Sequence, residues 1–253
     1  MHAYVFTSTL KDMLRIGRFI PWVLLAIVLG LVSLLWDQMS RIPVGADQYG
    51  MLVRLIVYRI VALAAAMFTT MVISQEVEQK TIVYLVTRTV PRNVILFSRG
   101  MAAVVAVTVM SWISLFAVAF VMLGPGFLGE SMVWMDMLIM FLGSVAYTSL
   151  FIFVTLIINR AMIAILAFTF VWEAFVPILD GDMYLLTIST YMSVLATHPN
   201  KTFGAVAAAI QNNASAVNPV YAWIVLLTVG IGFLVLGGWW FSKNEYLPRE
   251  DAE

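Results

Sequence analysis

The chain contains no cysteine and only two histidines, His2 and His198, among 253 residues. Without thiols there is no disulfide, no thiolate metal site and no cysteine nucleophile. Two imidazoles leave no histidine-rich metal centre, and no metal ligand set is assigned. Charge is scarce as well. Only 11% of residues are charged and 62% are hydrophobic, whereas soluble domains carry roughly 25% charged residues. That shortage excludes soluble enzymes and soluble binding modules. Cations and anions balance at 14 each, so no basic surface for a nucleic acid is expected. No phosphate-cradling Gly-x-x-x-x-Gly-Lys-Ser/Thr loop occurs, and neither His-Glu-x-x-His nor Gly-x-Ser-x-Gly is present. The chain therefore lacks the usual means of hydrolysing ATP, peptides or esters itself, and it is not expected to be an enzyme. The sixteen methionines are read as flexible apolar packing rather than as soft copper ligands.

What is present is a series of long apolar runs. A helix rises about 1.5 Å per residue, so about 20 apolar residues cross a hydrocarbon core of about 30 Å. Six such spans are expected, near 20–36, 55–74, 101–123, 137–158, 161–179 and 220–241. The runs are continuous rather than alternating, which favours helices over barrel strands. The fold class is thus all-α, a polytopic membrane protein forming one transmembrane domain over 1–253.

Lys and Arg set the orientation. With a cytoplasmic N-terminus, Lys11, Arg15, Arg18, Lys80, Arg88, Arg92, Arg99, Arg160, Lys243 and Arg249 all fall inside, ten of the fourteen cations. Only Arg41 and Lys201 fall in outer loops, and Arg54 and Arg59 sit at and within the outer end of the second span. Both termini are expected in the cytoplasm of a multi-pass cell-membrane protein.

Three segments outside the spans break the apolar pattern. In 1–19, Phe6, Leu10, Met13 and Leu14 share a helical face while Lys11, Arg15 and Arg18 lie elsewhere, as in a helix at the bilayer interface. The segment 180–219 is too long for a structureless connection. Met183 to Ala196 and Phe203 to Ala209 are apolar enough to build a helical cap on the outer side. In 75–100, Ile82, Leu85 and Val86 form the apolar face of a short helix that Pro91 terminates.

The run Ser74-Gln-Glu-Val-Glu-Gln-Lys-Thr-Ile-Val-Tyr-Leu-Val-Thr-Arg88, followed by Val90-Pro91-Arg92, resembles the cytoplasmic loop of type-2 ABC transporter permeases. In that family an acidic pair, a Thr, an apolar helical turn and a Pro/Arg break lie between the second and third of six spans. Lys80, Thr89 and Arg99 depart from the commonest residues at their positions. The resemblance implies the membrane subunit of an ATP-driven transporter, expected to be an exporter. It would work as a homodimer or beside a related permease, with a separate ABC-type ATPase subunit on its cytoplasmic face.

The chain itself would bind no cofactor, and ATP and Mg2+ would sit on the partner. The coupling residues implied are Glu76, Glu78, Thr81, Ile82, Leu85, Arg88 and Arg92, with Arg160 as a second contact. Glu76 and Glu78 suit basic partner residues, while the Ile82/Leu85 face suits an apolar groove.

Charges within spans are expensive and usually face an interior or a partner. Glu173 is therefore expected to pair with Arg59 or Arg54, or to line the outer exit of a substrate path. Structural pairing and snorkelling of the arginines fit the same pattern. The rival functions are a secondary transporter or channel needing no ATPase, and a membrane assembly scaffold. No internal repeat between 20–123 and 137–241 supports the first.

Overall fold

The computed structural model describes residues 2–39, 45–78, 92–158, 161–179, 181–198 and 205–243. Within them the protein is helical, without a strand, and six helices are long and apolar enough to cross a membrane. These spans are Ile16–Trp36, Ala46–Thr70, Leu96–Leu123, Ser131–Ile157, Ala161–Ile178 and Pro219–Lys243.

The helices are α1 (His2–Met13), α2 (Ile16–Met39), α3 (Ala46–Leu52), α4 (Tyr58–Glu78), α5 (Arg92–Leu123), α6 (Ser131–Ile157), α7 (Ala161–Ala167), α8 (Glu173–Phe175), α9 (Ile188–Leu195), α10 (Ala205–Ser215) and α11 (Pro219–Lys243). An even number of crossings places the start of the first span and the end of the last at one end of the bundle, here the terminal end. The connections after the first, third and fifth spans lie at the other, the cap end.

The boundaries follow local chemistry. Pro219 opens α11, where a missing N–H is harmless, and Asn218 Oδ1 accepts the Val220 N–H at 2.9 Å. Gly124, at φ 76°, ends α5 in the left-handed region open to glycine. Inside the spans, Ser33, Thr69, Thr108, Ser144 and Thr155 return their hydroxyls to the carbonyl four residues back. No buried hydroxyl in that set is left facing hydrocarbon.

The second span starts nearer the N-terminus than hydropathy suggests, at Ala46 rather than near 55. Asp47, Gln48 and Tyr49 interrupt the apolar run, yet Gln48 and Tyr49 are buried against protein, so the helix extends through them. This span is the most buried, with 72% of its apolar window inside the protein. It packs on α5 and α6, while α1 and α2 lie on α5, and α11 and α7 lie on α6.

Phe6, Leu10 and Leu14 pack against the core and Met13 is buried within it. Arg18 donates to Asp12 Oδ2 at 2.6 Å across the turn between α1 and α2. Close helix approach rests on small residues. A Cβ placed on Gly230 of α11 would lie 2.9 Å from Val145 Cγ1 of α6, and one on Gly100 of α5 would lie 3.1 Å from Ile152 Cδ1.

The absence of native cysteine makes sidedness directly measurable. Single replacements Ser8→Cys, Ser242→Cys and Ser215→Cys probe the two ends. In intact cells a membrane-impermeant maleimide is expected to label only Ser215→Cys. Labelling of all three from one side contradicts the six-span arrangement.

Candidate functional site

Two buried carboxyl groups of this apolar bundle, Asp136 and Glu173, both lie at the cap end, and each is the centre of a polar cluster. The first is Asp136, near the start of α6 and fully buried. Tyr49 donates its hydroxyl to Oδ2 at 2.6 Å, Tyr58 donates to Oδ1 at 2.7 Å, and His198 Nε2 lies 2.9 Å from Oδ2.

Tyr49 and Tyr58 are nine positions apart, roughly two and a half turns of a regular helix, which would set them on opposite faces. Between them Val53–Val57 forms a π-helical turn. The wider turn takes in an extra residue and lets both phenols reach the same carboxylate.

Glycine fixes the approach of His198. A Cβ on Gly50 would lie 2.6 Å from His198 Cβ, so only glycine admits the histidine at this distance. Tyr49 meets the imidazole edge-on, with ring centroids 5.5 Å apart. Arg54, on the π turn, extends towards the Ala196 carbonyl at 3.5 Å and lies within electrostatic reach of Asp136.

The second cluster surrounds Glu173, which is buried and follows another π-helical turn, Phe168–Trp172. Its Oε1 accepts the Ile188 N–H at 2.9 Å, and Oε2 accepts the Ser189 N–H at 3.2 Å. These are first-turn donors of α9, which have no partner within their own helix. Thr187, at the N-cap position, does not supply them. Its hydroxyl lies 2.7 Å from both Tyr184 O and Thr190 Oγ1. A carboxyl group from the fifth span thus caps α9 from outside.

Tyr147 and Ser189 adjoin Glu173, and Arg59 is within its electrostatic reach. One turn farther along α9, Met192 rests on Gly143 of α6, where a Cβ would lie 2.6 Å from Met192 Sδ. Tyr191 donates to Leu185 O at 2.7 Å. Burial and the neighbouring Tyr184 hold its phenol above the usual value, so it remains a donor. Asn213 of α10 donates to Pro177 O at 3.0 Å, tying α10 to the end of the fifth span.

The structure separates the sequence candidates. Arg54 belongs with Asp136 and His198, whereas Arg59 belongs with Glu173. The bonds that Glu173 makes are to backbone N–H groups rather than to either guanidinium. Glu76 and Glu78 fall on the last turn of α4, and Arg92 opens α5. Thr81, Ile82, Leu85, Arg88 and Arg160 lie outside the described residues. Tyr49, Tyr58, His198 and Gly50 join the site without being expected there, around Asp136, which with Arg54, Arg59 and Glu173 makes up the charges at or within the spans expected from the sequence. A lone Asp inside an apolar span is the one sequence signal that points to them.

Chemically, the two clusters fasten the 188–198 segment to the bundle at both of its ends. Among the described residues no group of three His, Asp or Glu side chains converges to hold a metal ion. Comparison with known protein families, characterised proteins and solved structures finds no match for the chain.

Leaving a buried hydrogen-bonding group without its partner costs about 1–3 kcal/mol, and Asp136 is the shared partner of three side chains whereas each tyrosine makes one bond to it. Asp136→Ala is therefore expected to lower thermal stability in detergent more than Tyr49→Phe or Tyr58→Phe. Glu173→Gln keeps an acceptor for α9 and is expected to be mild, while Glu173→Ala removes the cap and costs about 0.5–2 kcal/mol. Limited proteolysis within 181–198 is the accompanying measurement. Equal melting temperatures for Asp136→Ala and wild type contradict the assignment.

Proposed function

We propose that the chain is the membrane-spanning permease subunit of an ATP-driven ABC transporter, an exporter whose ATP is hydrolysed by a separate ATPase subunit. It works as a pair, with a second copy of itself or a related permease. The reading rests on the 74–92 motif and on where that motif falls. It connects the second and third spans at the end of the bundle that carries both termini, the cytoplasmic end by the distribution of Lys and Arg.

The helical frame around the motif supports the same reading. Helix α4 runs as far as Glu78, past the apolar run that ends at Ile73, and α5 begins at Arg92, ahead of the apolar run that starts at Val94. Positions 76, 78 and 92 are thus continuous with spans rather than suspended in a connection. Docking of the ATPase on Glu76, Glu78 and the Ile82/Leu85 face, with Arg88, Arg92 and Arg160 alongside, transmits movement straight into α4.

That helix is the core of the bundle, and Tyr58 at its other end holds Asp136. Closure of two ATPase subunits on ATP therefore shifts the helix that carries the cap anchor. The π turn at Val53–Val57 supplies the least regular point along this lever. Transport then follows from alternating access of a path between two such bundles. Arg54, Arg59 and Glu173, at the cap end, are the polar groups nearest its exit.

A soluble ATPase with a nucleotide-binding loop is expected in a neighbouring reading frame, and its copurification with this chain is the test. The double variant Glu76→Lys/Glu78→Lys is expected to lose most of that association, together with the stimulation of ATP hydrolysis, while keeping its own melting temperature. Full binding and full stimulation by the double variant would overturn the reading.

A further inference from the structure

A groove of about 310 Å³ opens at the terminal end of the bundle, away from both carboxyl clusters. It is lined by Leu96 and Phe97 of α5, Ile152 of α6, and Leu234, Val235, Gly238, Trp239 and Ser242 of α11. The volume is about ten times the share of one water in the liquid, about 30 Å³, and falls at the small end of ligand sites.

Two features separate this groove from an ordinary lipid-facing surface. A Cβ built on Gly238 meets nothing within 4 Å, so this glycine is not required by helix packing, unlike Gly230 on the same helix. At the rim, Lys243 places its ammonium over the Trp239 ring, 4.4 Å from the centroid, and the Ser242 hydroxyl donates to the Trp239 carbonyl at 2.7 Å. Apolar walls thus lead to one fixed positive charge with an indole at the headgroup level, the arrangement expected where a phospholipid is held by tail and phosphate together.

We propose that the groove is a binding site for one acyl chain of an anionic glycerophospholipid, with its phosphate at Lys243. The inference is independent of the transporter reading, since it involves neither the 74–92 motif nor the cap. Chain methylenes fill the space beside Gly238 and bury the exposed faces of Phe97, Val235 and Trp239. Lys243 selects the headgroup.

The test uses the full chain in nanodiscs of phosphatidylcholine containing a minority of phosphatidylglycerol, with retained lipid read by native mass spectrometry after mild detergent stripping. Wild type is expected to keep phosphatidylglycerol in preference to phosphatidylcholine. Gly238→Leu fills the groove while raising helix propensity, and is expected to lose retained lipid of both kinds without a fall in melting temperature. Lys243→Glu is expected to keep lipid but lower the preference for phosphatidylglycerol at least about fivefold, the equivalent of about 1 kcal/mol for one cation near a bilayer surface. Retention by Gly238→Leu equal to wild type, or an unchanged headgroup preference in Lys243→Glu, overturns the proposal. So does efficient disulfide formation between two copies of Val235→Cys, which would put a second copy of the chain over the groove.

Discussion

A carboxylate buried in an apolar helix bundle persists only when other protein groups replace the water it has lost. That constraint governs the cap end of this protein. Asp136 has no solvent contact, and the penalty for an unpaired ion in such a place is several kcal/mol. Its donors come from three separate places in the chain: the start of the second span, the first residue of α4, and the residue that closes the cap segment. Each donor constrains its own element. The helix beginning at Ala46 must pass through polar residues, a π turn must absorb the phase difference between the two tyrosines, and residue 50 must be glycine. One acceptor thereby dictates features spread over a large part of the sequence.

Glu173 follows the same rule at the start of α9, with a different class of donor. Backbone N–H groups at a helix start are free by geometry, and a carboxyl group is well matched to the partial positive charge there. The two anchors belong to different spans, the fourth and the fifth. Movement of either span relative to the other must strain one of them. The apolar contacts of α9, such as Met192 against Gly143, hold the segment close but are individually small. In energetic terms, opening the cap is a matter of two carboxyl groups. In the proposed transporter cycle α4 is the element that reaches from the ATPase side to one of them.

The spans are legible in the sequence because an apolar run of about 20 residues suits little besides a bilayer crossing. Arg54, Arg59 and Glu173 stand out as well, because charge inside such a run is conspicuous. Their partners do not. Tyr49, Tyr58 and His198 lie 87, 78 and 62 positions from Asp136, and no periodic pattern encodes a contact over that distance. The target of Glu173 is a pair of backbone amides, which have no letter in the sequence at all. Hydropathy misplaces the start of the second span for a related reason. It registers Asp47 and Gln48 as exits from the membrane, whereas a helix can continue through polar residues once other helices surround it.

If the proposed ATPase-docking motif and the cap are joined mechanically through α4, a change at that motif must reach the amides of 188–198. Hydrogen–deuterium exchange of those amides reads this directly, in the complex of the chain with its ATPase, first without nucleotide and then with ATP trapped by orthovanadate. Faster exchange at 188–198 is predicted in the trapped state, with loss of that difference in Tyr58→Phe. Identical exchange in the two nucleotide states, with the ATPase bound in both, would contradict the mechanical link.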